Sequence, residues 1–291
     1  MTPQRDNSRI QLALPKGRIQ KGTERLLADA GINVRTGLRG YRPTLSVPGF
    51  EAKLLKPQSI VQMLAAGSRD IGFCGADWVA ELDCDLIELF DTELDPVRIV
   101  AAAPAELLEN GALPKRPLVV ASEYPQLTKR WIAESGIDAT FVRSYGATEV
   151  FPPEDADVIV DNTATGETLA ANGLVIIDEL MRSSTRLFAR RDLADDPGKE
   201  GLAAEVVMLL RSVVDARRRV MLELNVDKRA LDQVVEVLPC MREATVSDLR
   251  GGEGYAVRAA VPRETLPALV PALKARGGTA IIVTSLNQIV P

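Results

Sequence analysis

No histidine occurs anywhere in the 291 residues. That absence removes Ser-His-Asp and Cys-His nucleophilic catalysis and every histidine-ligated metal site. Chemistry in this chain must run on carboxylates, lysine, arginine, hydroxyls, backbone dipoles or a bound ion. Cysteine is scarce too. Cys74, Cys84 and Cys240 show no C-x-x-C spacing, which predicts free thiols, with Cys74 and Cys240 packed as small apolar groups. No apolar run approaches the roughly 18 residues of a membrane span, and the polar start MTPQRDNSR lacks a signal-peptide pattern. The expectation is a cytoplasmic protein with no membrane association. Excess positive charge is also missing: the formal net charge of −5 argues against a nucleic-acid partner. A small polyanion remains possible, because it needs only a local basic pocket.

What is present is alternation. The hydrophobic fraction is 46%, ordinary for a globular protein, and the length suits two or three domains of about 100–150 residues. Strands are expected at residues 10–14, 51–55, 70–74, 86–90, 97–103, 118–122, 139–142, 158–160, 174–178 and 185–189. Helices are expected at 20–30, at 60–66 with Ser59 as cap, at 126–135 and at 167–171. Residues 33–50 look irregular or hairpin-like, with Arg35, Arg39 and Arg42 making a basic loop. Asp77 in the Gly-Ala-Asp turn after residue 74 is a candidate N-cap; that turn suits either an anion or tight packing. The pattern describes a mainly parallel α/β sheet in two lobes, with the polar segment 106–116 crossing between them and the cleft as the natural site. After a polar loop at 192–201 and a helix from 202 to about 219, the rhythm changes. Strand 220–226, helix 227–238, strands 244–249 and 255–261, helix 262–276 and strand 279–284 give β-α-β-β-α-β, the ferredoxin-like order.

The stretch around Asp161 carries the most chemistry. Val158-Ile159-Val160 ends on Asp161, a loop Asn162-Thr163-Ala164-Thr165-Gly166 follows, and a short helix begins at Glu167. Amides converging at a helix start, helped by Gly166 and the Thr165 and Thr168 hydroxyls, suit a phosphate. Asp161 is placed to accept from ribose hydroxyls, which together describes a ribose-5-phosphate cradle. The same pattern also fits an ordinary strand–turn–helix capped by threonine. Lys16 and Arg18 sit in the turn after the first strand, where open α/β sheets bind ligands; they read either as a phosphate clamp or as two solvated charges.

Four segments, Leu12-Ala-Leu-Pro-Lys-Gly-Arg18, Leu55-Lys-Pro-Gln58, Asp70-Ile-Gly-Phe-Cys-Gly-Ala-Asp77 and Asp161 to Leu174, resemble the ATP phosphoribosyltransferase family in its long form with a C-terminal regulatory domain. The segments Val257-Arg-Ala-Ala-Val-Pro-Arg263 and Gly277 to Thr284 look like that regulatory module. The resemblance implies a two-lobed, periplasmic-binding-protein-like catalytic part: lobe I from residues 1–105 plus 180–218 and lobe II from 106–179. A ferredoxin-like, ACT-like α+β domain follows at 219–291. It implies transfer of phosphoribosyl from phosphoribosyl pyrophosphate to N1 of ATP, the first step of histidine biosynthesis, with Mg²⁺ required, histidine as feedback inhibitor, and a homo-oligomer, dimer or hexamer.

On that basis Lys16, Glu149 and Asp161 are the catalytic candidates. Asp161 and Glu149 hold ribose hydroxyls, and Lys16 and Arg18 meet ATP phosphates or pyrophosphate with help from Lys56. Ala164, Thr165, Gly166, Glu167 and Thr168 hold the 5-phosphate. Glu167 departs from the family pattern, in which that position is usually neutral or basic; an acid there is expected to face solvent. Thr245, Val283 and Thr284 are placed near a histidine pocket by matching position, and no residue is assigned as a metal ligand. Two other plans share the lobes. A bilobed amino-acid-binding protein is normally exported, and a prephenate-dehydratase-like enzyme has no need of a cradle at Thr165-Gly166.

Overall fold

Strand β1 (Ile10–Pro15) is buried at all six residues, as expected of a strand covered on both faces. It lies near one end of an eight-stranded sheet in a computed structural model that describes residues 8–37, 40–241 and 243–290. Arg39 of the expected basic loop and the first seven residues of the polar start lie outside the described residues. The chain divides into two units. One comprises residues up to Ala28 and Ile32–Val207; the other comprises Asp29–Gly31 and the chain from Met208 onward.

In the first unit, α1 (Gln20–Asp29) is followed by a small antiparallel pair, β2 (Val34–Arg35) and β3 (Thr44–Leu45). Then come β4 (Phe50–Leu55), α2 (Pro57–Ala65), β5 (Ile71–Gly75), α3 (Ala76–Glu81), β6 (Ile87–Pro104), β7 (Leu118–Ser122), α4 (Pro125–Ser135), β8 (Ala139–Arg143), β9 (Val158–Thr163), α5 (Glu167–Ala171) and β10 (Leu174–Ala189). The sheet order is β4-β1-β5-β10-β6-β9-β7-β8. Pairing is parallel at both ends and antiparallel in the middle, where β10 joins β5 and β6 and β6 joins β9. The sheet is therefore mixed rather than mainly parallel.

The cause lies in β6 and β10. Each was expected as two short strands broken by polar residues, and each is instead one long strand, of 18 and 16 residues. The polar residues do not break pairing; they form bulges. Thr185 pairs with Leu94 and Arg186 with Asp91, so two residues of β6 are skipped, and Glu93 and Asp95 take positive φ. Side chains satisfy the bulge: the Ser184 hydroxyl donates to Asp91 at 2.7 Å and the Thr185 hydroxyl to Asp95 at 3.2 Å.

Alternate residues of β6 feed cores on opposite faces. Ile99, Ala101 and Ala103 pack with Leu118, Val120 and Trp131, whereas Val100 and Ala102 pack with Ile159 and Leu169. Burying each large apolar side chain of this kind contributes about 1.5–3 kcal/mol. All three cysteines are free; Cys74 is fully buried in a core and Cys240 is partly buried.

Helix starts depart from expectation. Lys56, not Ser59, occupies the N-cap of α2, with no side-chain cap bond and Pro57 in the first turn, where its fixed φ suits a helix. Gly75, not Asp77, caps α3, and Asp77 lies inside the helix.

Helix α6 (Pro197–Arg217) precedes the strands of the second unit. There β11 (Arg219–Asp227), α7 (Leu231–Val235), β12 (Thr245–Asp248), β13 (Gly254–Pro262), α8 (Leu266–Ala275) and β14 (Thr279–Ser285) form a fully antiparallel sheet of order β12-β13-β11-β14. This is the ferredoxin-like order. Its first helix is far shorter than residues 227–238, because Lys228–Ala230 form a 3₁₀ turn instead. Val220, Leu222, Leu224 and Val226 alternate into the core with Val257, Val261, Leu269 and Leu273. Among the described residues no helix is long and apolar enough to cross a membrane.

Candidate active site

β9 delivers Asp161 from a buried run, Val158 to Val160, to the rim of a pocket of about 310 Å³. Around it stand Arg18, Glu149, Asp161, Asn162, Ala164, Thr165 and Thr168. Six of the residues singled out in the sequence thus meet at one place. The amide fan is half closed by the loop's own threonines. The Gly166 N–H donates to the Thr163 hydroxyl at 2.9 Å and the Glu167 N–H to the Thr165 hydroxyl at 3.3 Å. The N–H groups of Ala164, Thr165 and Thr168 have no protein acceptor among the described residues, and they are the donors left for an anion.

Gly166 and Glu167 do not line the pocket, and Glu167 is exposed, in line with the expectation that an acid at this position faces solvent. Gly166 serves the backbone rather than a close approach to ligand. It takes φ of 88° at the N-cap of α5, a left-handed conformation that other residues rarely adopt.

A second pocket of about 260 Å³ adjoins the first, and Arg18 and Asn162 line both. Lys16 enters it, together with Gln58, Asp77, Trp78, Tyr124 and the polar middle of the long strands at Asp95, Ser183, Ser184 and Thr185. Lys16 is held at its backbone, where its N–H donates to the Leu55 carbonyl at 2.8 Å, and at its tip, which sits 4.2 Å from the centre of the Tyr41 ring. That is a cation–π distance. Lys56 is exposed and lines neither pocket.

The Gly-Ala-Asp turn proves to be a packing turn. The Asp77 carboxylate folds back over Gly75, where a Cβ would lie 2.1 Å from its oxygen. It accepts from the Ser183 hydroxyl at 2.7 Å and from the Tyr124 hydroxyl at 2.9 Å. An anion already occupies that helix start.

Burial pushes Asp161 up to about 6. The Glu149 and Glu123 carboxylates add to the rise, while the Asn162 backbone N–H and the Arg18 charge oppose it. Asp161 is therefore ionised at neutral pH but only a short way above its midpoint. Among the described residues, no three His, Cys, Asp or Glu side chains cluster as a metal cage.

Thr245, Val283 and Thr284 do not come together within the chain. Thr245 is on β12 and pairs with Arg258; Val283 and Thr284 are on β14 and pair with Leu222 and Met221. These strands are opposite edges of a four-stranded sheet, three spacings or roughly 14 Å apart. Matching by position along the sequence missed this, because the ferredoxin-like order sends the second and fourth strands to opposite edges. Sequence reasoning also missed Tyr124, Asn162 and Ser183. Tyr124 stands just before the helix expected at 126–135, and Ser183 lies in the gap between the strands expected at 174–178 and 185–189; only the adjacency of Asn162 to Asp161 was a usable signal.

Residues 56–212 match the family described as HisG, ATP phosphoribosyltransferase, and residues 216–288 match HisG, C-terminal domain. Relatives named ATP phosphoribosyltransferase include that of Chlorobium chlorochromatii, 33% identical over 98% of this chain and 99% of its own length. Another, from Prosthecochloris aestuarii, is 34% identical over 97% of both. Among solved structures, the ATP phosphoribosyl transferase (HisG:HisZ) complex from Thermotoga maritima aligns with a TM-score of 0.63 at 26% identity, covering 71% of this chain and 98% of that one.

Proposed function

The chain belongs to the ATP phosphoribosyltransferase family, and from that premise we propose how its residues divide the work. The reaction joins N1 of the ATP adenine to C1 of phosphoribosyl pyrophosphate and releases pyrophosphate, the first step of histidine biosynthesis. Breaking the C1–pyrophosphate bond builds positive charge on the ribose and negative charge on the leaving group. The enzyme has to orient two substrates and stabilise those charges; it does not require a histidine base.

The open amides of Ala164, Thr165 and Thr168 hold the 5-phosphate, while Asp161, with Glu149 beside it, accepts from the ribose hydroxyls. Arg18, shared between the pockets, and Lys16 in the second receive phosphate charge from ATP or the departing pyrophosphate. Gly166 shapes the loop, Glu167 stays in solvent and Lys56 contributes at most long-range charge. The observation that supports this most is the convergence of Arg18, Asp161 and three unpaired amides on one pocket.

Mg²⁺ fits the same place, since it is commonly held by one or two carboxylates and substrate phosphates rather than by an all-protein cage. Asp161 and Glu149 are the carboxylates at hand. When bound, the ion neutralises pyrophosphate charge.

The parallel ends of the large sheet, β4-β1-β5 and β9-β7-β8, we read as the cores of two periplasmic-binding-protein-like lobes, with residues 1–105 plus 180–218 in one and 106–179 in the other. Residues 219–291 are the regulatory part, with histidine as feedback inhibitor. Thr245 and the Val283-Thr284 pair are too far apart to share one histidine in a single chain, so a shared pocket requires a second copy's sheet edge. That favours a homo-oligomer, dimer or hexamer, of a cytoplasmic enzyme.

The test is formation of phosphoribosyl-ATP, followed by absorbance with and without histidine. Phosphoribosyl pyrophosphate with Mg²⁺ should also raise the melting temperature, whereas prephenate should not. No shift with phosphoribosyl pyrophosphate would overturn the assignment of the cradle.

A further inference from the structure

Tyr124 is 1% exposed, yet it carries a hydroxyl into the interior, and the division of roles above leaves that hydroxyl without a task. Its surroundings are highly specified. The ring stacks on Trp78 with centroids 4.9 Å apart and planes 29° apart. The Tyr124 N–H donates to the Ser122 hydroxyl at 2.9 Å, and that hydroxyl donates to the Val160 carbonyl at 2.6 Å, next to Asp161 on β9. Tyrosine is thus tied to the strand that delivers the cradle.

The hydroxyl joins two side chains 85 positions apart. It donates to Asp77 Oδ2 at 2.9 Å and accepts from Asn162 Nδ2 at 3.2 Å. Asp77 is itself fixed by Ser183. Asn162 then branches: its Nδ2 and backbone N–H donate to Asp161 Oδ1 at 3.2 and 2.7 Å, and its Oδ1 accepts from Arg18 Nη1 at 3.4 Å. The chain of bonds runs Ser183, Asp77, Tyr124, Asn162 and ends on both Asp161 and Arg18. Asn162 and Arg18 line both pockets.

Direction follows from charge. Burial first, and then the Asp77 charge, push the Tyr124 phenol far above its ordinary value, so the proton stays on oxygen and points at Asp77. The lone pairs are left for Asn162. With Nδ2 claimed by Tyr124 and Asp161, the carboxamide oxygen faces Arg18.

We propose that Tyr124 is a positioning residue that acts through Asn162. By accepting from Nδ2 it locks the carboxamide between the two pockets and so holds Arg18 and Asp161 at a set spacing where the two substrates meet. This rests on the assignment of the cradle to the phosphoribosyl group and of the second pocket to ATP phosphates or pyrophosphate.

A double-mutant cycle in single-turnover rate at saturating substrates tests it. Tyr124→Phe keeps the ring and the stack and removes only the hydroxyl; the rate should fall at least tenfold. In an Asn162→Ala background the same substitution should change the rate less than twofold, because the group through which the hydroxyl acts is gone. Asn162→Ser serves in its place if the alanine variant is too slow to follow. If Tyr124→Phe does not fold by melting scan, Asp77→Ala, which removes the acceptor that fixes the hydroxyl from its other side, replaces it in the cycle. Equal factors in both backgrounds overturn the proposal, as does an unchanged rate in Tyr124→Phe. Calorimetric titration of the wild type with phosphoribosyl pyrophosphate and Mg²⁺ separates the two levels. No binding refutes the cradle assignment, whereas binding with equal factors in the cycle refutes only the positioning role.

Discussion

Lys199 Nζ lies 3.1 Å from Asp70 Oδ2, 129 positions away in the chain, and both side chains are almost wholly buried. Arg190 Nε reaches the other oxygen at 2.9 Å and the Gln11 N–H adds a third contact at 2.7 Å. Removing one member of a buried ion pair leaves a charge without compensation. Asp70→Ala strands the buried Lys199 and leaves Arg190 with Asp192 alone, and should cost about 3–5 kcal/mol. Lys199→Met leaves Asp70 with Arg190 and the Gln11 amide, so about 1–2 kcal/mol is expected. Urea denaturation of both variants measures the difference, and equal losses would show that Arg190 does not compensate.

Asp161 should weaken the fold while serving the reaction. Its folded value of about 6 lies above the ordinary carboxylate value near 3.9. Below about pH 4 both states hold the proton and nothing is lost. As pH rises from about 4 to 6 the unfolded chain releases its proton first, so stability falls, and above about 7 the cost levels off on the order of 3 kcal/mol. Asp161→Asn removes that cost. It should melt higher than wild type at pH 7.5, with the advantage shrinking toward pH 5, and lose at least 100-fold in turnover. In wild type, kcat/KM for phosphoribosyl pyrophosphate should carry an acid limb near pH 6. A variant that is no more stable at pH 7.5 would mean Asp161 is not strained in the free enzyme.

Two lysines that look alike in sequence should part company. Lys16 lines the second pocket under the Tyr41 ring, whereas Lys56 is exposed and lines neither pocket. Lys16→Ala should lower kcat/KM for either substrate at least 30-fold. Lys56→Ala should stay within threefold in the same steady-state assay.

Gly166 and Glu167 are neighbours with opposite expectations. A valine at Gly166 finds room, since the nearest atom to an added Cβ is Ile176 Cδ1 at 3.6 Å. It cannot adopt φ of 88° without strain of about 1–3 kcal/mol. Gly166→Val should therefore re-aim the loop and lose most turnover while the protein stays folded by circular dichroism. Glu167→Gln, on an exposed side chain, should keep activity within twofold.

Local chemistry was enough to read much of this chain. Three β-branched residues before Asp161 specify a strand end, a run of small residues a loop, and alternating Val-x-Leu-x-Leu-x-Val after residue 219 a half-buried strand. The order of elements then implied the ferredoxin-like unit, and the same short-range signals brought out Asp161, Thr165 and Arg18. What the sequence could not determine was pairing at a distance. Asp91 to Pro96 and Glu179 to Ser184 read as breaks because most of their residues are polar; they are strand because each supplies hydrogen bonds to the other across about 90 positions. The start of α4 shows the same limit. Its Gln126 and Leu127 amides are capped by the buried Glu81 carboxylate, 45 and 46 positions back, not by any neighbour. Dihedral preference and periodic burial are properties of a few consecutive residues, so one sequence displays them. A hydrogen bond between remote side chains depends on the assembled sheet, and only the tertiary structure could put Tyr124, Asn162 and Lys16 around the same space.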